Sequence, residues 1–202
     1  MKLFSIIVFA FALSLSGTAL SQARIASIRT IDFKNFTYPR VGEQRTYIRR
    51  KTFTLKDGRY PEHEIEDGMH FRDVIYSDVT GDGVEDAIVI LGVETRGSAI
   101  PNCVYIYTLK RNRPVLLWGF LTGDRADGGL RHIAAENGHL TIELYGKDTR
   151  IGGKLFGSEP GVADCCAMSV TRTNYRWRNG RFRQSGRSEV FRNPAQNSSY
   201  VR

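Results

Sequence analysis

Four oxygen-bearing side chains are spaced for chemistry in the run Asp-Val-Thr-Gly-Asp-Gly-Val-Glu-Asp, which also holds Glu85: Asp78, Thr80, Asp82 and Asp86. Hard oxygens at alternate positions suit Ca²⁺, which takes six to eight of them at about 2.3–2.6 Å in a flexible geometry. Gly83 permits the sharp turn that folds the oxygens inward, and the Val84 carbonyl is placed to join them. The predicted metal set is Asp78, Thr80, Asp82, Val84 through its carbonyl, and Asp86, holding a structural Ca²⁺. The same residues also make a metal-free acidic turn closed by Asx hydrogen bonds, and the sequence leaves both readings open.

The loop departs from an EF-hand. Val89 stands where the last bidentate Glu belongs, and the flanks Val-Ile-Tyr-Ser and Ala-Ile-Val-Ile-Leu read as strands rather than helices. With an apolar strand following Asp86, the segment resembles the calcium motif of FG-GAP/VCBS-type β repeats, D-x-[DNT]-G-D-G-x-x-D. The resemblance implies Ca²⁺ bound between two strands by the same five residues, with Thr80 a weaker ligand than the usual acid or amide. That family stacks several copies into a propeller; one copy is visible here, so no propeller is expected. A signal-like start, the Gly-Asp-Gly loop, a late Cys-Cys and a Tyr175-x-Trp177-x-Asn179-Gly180-x-Phe182 hairpin also resemble small secreted bacterial proteins of unknown function.

The second cluster is basic. A two-residue turn at Asn179-Gly180 sets Arg178 opposite Arg181, Trp177 opposite Phe182, and Arg176 opposite Arg183. Side chains alternate along a strand. Arg172, Arg176, Arg178, Arg181 and Arg183 then share one face, and Tyr175, Trp177 and Phe182 take the other. Directly opposed like charges are destabilising, so this face calls for an anionic partner, a polysaccharide, an acidic protein or nearby carboxylates. The aromatic residues do not interleave with the arginines, as single-strand nucleic-acid binding requires. No specific nucleic-acid motif is present.

Three cysteines, Cys103, Cys165 and Cys166, allow one disulfide and leave one thiol over. Adjacent cysteines are too close for an unstrained bridge, so Cys103 is expected to pair with Cys165 or Cys166. The histidines are His63, His70, His132 and His139, with no His-Glu-x-x-His set. No Gly-x-Ser-x-Gly elbow or phosphate loop occurs, and no catalytic residue is assigned.

The elements that must position these groups read as β. Short apolar runs alternate with turn dipeptides at Asp57-Gly58, Asn137-Gly138 and Asn179-Gly180. Strands are expected at 29–37, 46–55, 71–77, 86–92, 103–110, 115–121, 130–136, 139–145, 167–178 and 181–185. The expected core is Ile88, Ile90, Val104, Ile106, Leu116, Trp118, Phe120, Ile133, Leu140, Ile142 and Leu144. The fold class is mainly β with little helix: a single domain of antiparallel strands and hairpins, as a sandwich or open barrel, over 24–192. His132 would oppose Glu143 as a cross-strand polar pair.

Lys2, the apolar run Leu3–Leu15 and small residues ending at Ala23 read as a cleaved secretory signal peptide, residues 1–23. The protein is then periplasmic or extracellular, with no transmembrane span left after cleavage. The segment 193–202 reads as a flexible tail. In all, 202 residues with 29 Lys+Arg against 21 Asp+Glu, a formal charge of +8, exclude a disordered chain, a coiled coil and a polytopic membrane protein. Three functions fit. The first is a non-enzymatic binding or envelope-associated module with a structural calcium loop. The second is a secreted hydrolase acting on an anionic polymer, which predicts convergent carboxylates or a His beside the arginine hairpin. The third is a non-catalytic anionic-ligand binder using residues 172–183.

Overall fold

The run Asp-Ala-Ile-Val-Ile-Leu-Gly-Val has no polar alternation after its first residue, and each of its residues is buried in the folded chain. A strand with both faces apolar must be covered on both, and that requirement sets the architecture. The computed structural model describes residues 27–42, 47–61, 66–152 and 167–197. Its strands are β1 (Thr37–Pro39), β2 (Thr52–Thr54), β3 (Arg59–Tyr60), β4 (Gly68–Ser77), β5 (Asp86–Glu94) and β6 (Asn102–Lys110). They continue as β7 (Arg113–Leu121), β8 (Leu130–Glu136), β9 (His139–Tyr145), β10 (Ser169–Arg178), β11 (Arg181–Gln184) and β12 (Glu189–Arg192).

Two five-stranded antiparallel sheets result, without closing into a barrel. One runs β3-β4-β5-β6-β7; the other runs β8-β9-β10-β11, with β12 pairing the first half of β10. Ile88, Ile90, Val104, Ile106 and Phe120 pack across the gap onto Ile133, Leu140, Ile142 and Leu144, as expected for a sandwich. The opposite face of β5 and β6 is covered by a layer that the expected core did not include. There Ala87, Val89, Leu91, Cys103, Tyr105 and Tyr107 meet Ile28, Phe33, Tyr38, Ile48, Phe53 and Leu55 from the N-terminal segment and the β1–β2 pair. Tyr38 lies at the middle of this aromatic layer, 4.9 Å from Tyr105 and 5.0 Å from Phe36 between ring centroids.

Several expectations need correction. Residues 29–36 form no strand: Asp32 accepts from the Lys34 and Asn35 N–H groups and from Asn35 Nδ2, so local bonds replace a ladder. The strand expected at 46–55 is only Thr52–Thr54, because the Arg49 and Arg50 N–H groups donate to the buried Glu66 carboxylate instead. Leu116 leaves the inter-sheet core for the aromatic layer, because the register shifts between Ile106 and Tyr107. Trp118 stays on the inter-sheet side, partly buried. The strands Arg59–Tyr60 and Glu189–Arg192 were not foreseen. Asn193, expected in the tail, is buried and donates through Nδ2 to the Ala167 carbonyl at 2.8 Å. The signal segment 1–23, His63, Cys165 and Cys166 lie outside the described residues.

Candidate functional site

The acidic loop joins β4 to β5. Its three aspartates turn inward onto the loop's own backbone, while Glu85 pairs with Arg29 at 2.7 Å. Asp86 Oδ2 accepts from Val79 N–H and Thr80 N–H, both at 3.0 Å. Asp78 accepts from Gly81 N–H at 2.6 Å and Asp82 N–H at 3.1 Å through Oδ1, and from Gly83 N–H at 2.8 Å through Oδ2. Asp82 Oδ1 accepts from Val84 N–H at 2.9 Å. Every N–H group from Val79 to Val84 therefore ends on an aspartate. Gly81 and Gly83 carry φ angles of 77° and 83°, which a Cβ would oppose.

The loop is tied to the second sheet. Val79 is buried in the inter-sheet core, and Gly138 N–H of the β8–β9 turn donates to the Asp78 carbonyl at 3.1 Å. One residue earlier, Ser77 Oγ donates to the Ala135 carbonyl at 2.7 Å. Asp86 is fully buried, and its Oδ1 makes no hydrogen bond of ordinary geometry, although the Thr108 side chain lies close enough to favour the charged form. Burial pushes its carboxyl above the usual range, more than Thr108, Thr80 and Val79 lower it, and the charge of Asp82 adds to the rise. Among the described residues no three His, Cys, Asp or Glu side chains converge as a metal cluster.

The arginine hairpin has the register expected from its turn: Arg176 opposite Arg183, Trp177 opposite Phe182 and Arg178 opposite Arg181. Phe182 stacks on Trp118 at 5.2 Å, and Tyr175 meets the same ring edge-on at 5.1 Å, so the aromatic face is turned into the core. The arginines take the outer face of the second sheet.

Across that face the rows follow β10. Arg172 opposes Glu143 on one side and Glu189 on the other. Its Nε donates to Glu143 Oε1 at 2.8 Å, and its guanidinium lies 4.9 Å from the Phe191 ring centroid. Glu143 is only 3% exposed and takes Arg131 on its other oxygen. Its partners are thus Arg131 and Arg172, whereas His132, its register partner, contributes no ion pair to it. Burial pushes the Glu143 carboxyl up, but hydrogen bonds from Arg172 and Arg131 with their charges outweigh it and hold the group below its ordinary range.

The next row is neutral, with Thr141 Oγ1 donating to Asn174 Oδ1 at 2.8 Å. Then come Glu136, His139, Arg176 and Arg183 in one row, and Arg178 with Arg181 in the last. Arg176 Nε donates to His139 Nδ1 at 3.3 Å, and its Nη2 meets Nε2 of the same ring. No carboxylate pairs with Arg176, Arg178, Arg181 or Arg183 among the described residues. The five arginines share one face as expected, and Glu143 opposes His132 as expected, but its ion pairs go to Arg131 and Arg172, the first through a shift in β8 register.

Cys103 is fully buried in the aromatic layer, between Leu91 and Leu121 in the ladder. Its proposed partners fall outside the described residues, so no pairing is placed. No described helix is long and apolar enough to cross a membrane. No family model matches the chain, and no similarity to a curated protein or a solved structure is found.

Proposed function

We propose that this is an exported, non-enzymatic binding module whose outer sheet face takes an anionic polymer of the polysaccharide class. The observation that carries this reading is the last two rows of that face. Arg176 opposes Arg183 and Arg178 opposes Arg181, with no carboxylate paired to any of the four among the described residues. Opposed like charges cost stability, and a polyanion laid along the hairpin offsets that cost. Tyr175 and Phe182 pack against the core and Trp177 against Phe182, all on the face opposite the arginines, so no ring interleaves with the arginines and a polysaccharide fits better than single-stranded nucleic acid. Both nitrogens of His139 face Arg176, which favours binding over general acid–base chemistry at this site. The test is retention on a sulfated polysaccharide matrix. Arg181→Gln with Arg183→Gln is expected to elute at clearly lower salt than the parent protein; equal elution would refute the hairpin as the binding face.

A second reading, compatible with the first, is a structural Ca²⁺ in the 78–86 loop. It is favoured by the buried Asp86, whose Oδ1 makes no well-formed hydrogen bond although Thr108 lies beside the carboxylate, next to a backbone already curled by Asp78 and Asp82. Asp78, Thr80, Asp82, Val84 through its carbonyl, and Asp86 would hold the ion. A bound cation there offsets the burial of Asp86 and fastens the loop that joins the two sheets. Calcium is expected to raise the melting temperature, and Asp82→Ala to abolish the rise.

A further inference from the structure

The sandwich is pinched at one end and open at the other. β4, covered on its outer side by the two-residue β3 only at Met69 and His70, faces β8, the edge strand of the other sheet, and the two are joined where Ser77 Oγ meets the Ala135 carbonyl. Toward the other end they part and leave a cleft of about 360 Å³. Each wall carries a β-bulge there. The register of β4 on β5 skips between Phe71 and Asp73, and that of β8 on β9 skips between Leu130 and His132. The extra residue is an arginine in both, Arg72 on one wall and Arg131 on the other, and both line the cleft. A bulge re-aims the side chain it inserts: Arg72 reaches along the cleft wall to Asn102, while Arg131 lines the rim and turns its guanidinium onto Glu143.

The support for Arg72 is built in. Its Nη1 donates to Oδ1 of Asn102, a residue only 4% exposed. To reach Asn102 the side chain crosses β5 at Gly92, where an added Cβ would lie 3.1 Å from Arg72 Cδ and 2.4 Å from the His70 ring. The acceptor that holds Arg72 is therefore a neutral amide, and no carboxylate forms an ion pair with it among the described residues. Arg131, by contrast, is paired with Glu143. Ile90 and Ile133 also line the cleft, with Asp73 and His132 beside the arginines. Ile75, Ile90, Leu130 and Ile133 give a polar cleft one apolar wall, against which a short hydrocarbon body can lie, and Arg72 supplies one uncompensated charge. Asp73 and the Glu143 behind Arg131 subtract from the positive field, which disfavours a dianion.

The geometry points to a binding site for a small organic carboxylate with an apolar body, its carboxylate on Arg72 and its hydrocarbon against Ile90 and Ile133. This site is separate from the arginine hairpin. The test is an amide NMR titration of the protein at fixed ionic strength with hexanoate, acetate, hexylamine and hexyl phosphate. Hexanoate is expected to give saturable shifts confined to β4, β5 and β8, while acetate and hexylamine give none. Arg72→Gln is expected to weaken hexanoate at least tenfold with an otherwise unchanged spectrum. Arg72→Lys, which keeps the charge and loses the planar fork, should fall between the two and serves if the Gln variant fails to fold. Arg181→Gln should leave hexanoate binding unchanged. Absence of saturable hexanoate shifts, equal binding by Arg72→Gln, or hexyl phosphate binding tenfold tighter than hexanoate would each overturn the assignment.

Discussion

The two ends of the outer face of the second sheet handle arginine in opposite ways. At the Arg172 end, two guanidinium groups close over one carboxylate, Glu143, and Glu189 and the Phe191 ring complete the surroundings of Arg172. At the hairpin end, Arg176 faces Arg183 and Arg178 faces Arg181, with a neutral Thr141–Asn174 row between the two ends. A basic composition alone does not produce this. The same strand, β10, supplies Arg172 to the neutralised end and Arg176 and Arg178 to the other. Where the arginines pack, a buried acid compensates them; where they project, nothing in the described fold does. Arg172 is neutralised within the sheet, whereas the hairpin arginines form no ion pair among the described residues.

The largest expected effect is at the neutralised end. Glu143→Gln leaves Arg131 and Arg172 without their shared anion. Because those side chains retain 29% and 40% exposure, the loss should be near the low end for a broken buried pair, about 3 kcal/mol in urea unfolding. A loss under 1 kcal/mol would show that Glu143 is as dispensable as a surface acid and would dissolve the contrast.

Calcium is expected to come next. A ligand that binds only the native state contributes roughly 2.7 kcal/mol at a hundredfold excess over its Kd. Thermal unfolding in Ca²⁺ and in chelator, with Asp82→Ala alongside, reads this directly; no difference would leave Asp86 as a buried acid that the fold tolerates.

Acid should separate the carboxylates. Glu143 and Glu66 are held below their ordinary range. In both, burial raises the pKa and the bonds outweigh it: Arg172 and Arg131 on Glu143, and Tyr60, the Arg50 and Arg49 N–H groups and the Arg50 charge on Glu66. The stability they contribute is present above the unfolded glutamate value, roughly 4.3, and is lost as pH falls through their lower folded values. Asp86 is raised, chiefly by burial. Its contribution has the opposite sign, present at low pH and lost as pH rises through its folded value. Glu143→Gln should therefore flatten the acid limb of a stability–pH curve, and an unchanged limb would contradict the assignment.

The smallest effect is at the hairpin. Replacing Arg181 by Thr removes one directly opposed like pair, and relief is expected to stabilise the protein by a few tenths of a kcal/mol. A destabilisation would mean that the guanidinium serves the fold after all.

Much of this was legible in the residues. The Asn179-Gly180 turn gave the hairpin register, and alternation placed its arginines outside and Tyr175 and Phe182 inside. The loop's inward carboxylates followed from Asp spacing and glycine. The aromatic layer over β5 was implied by the unbroken run Ala87–Val93, but its partners come from segments too irregular for strand periodicity, such as the Asp32 turn. The three register shifts were not legible, since a bulge follows from pairing rather than from composition. They move Leu116 to the other face and insert Arg72 and Arg131 beside the cleft.

The central claim is that the unpaired hairpin arginines bind a polyanion. It is tested most directly by the affinity for a sulfated polysaccharide across about 50 to 200 mM salt, for the parent protein and for Arg181→Gln with Arg183→Gln. The account predicts that affinity falls steeply with salt and that the double variant binds more weakly, with a log–log slope shallower by roughly two. Equal affinity and equal slope in the two proteins would contradict it.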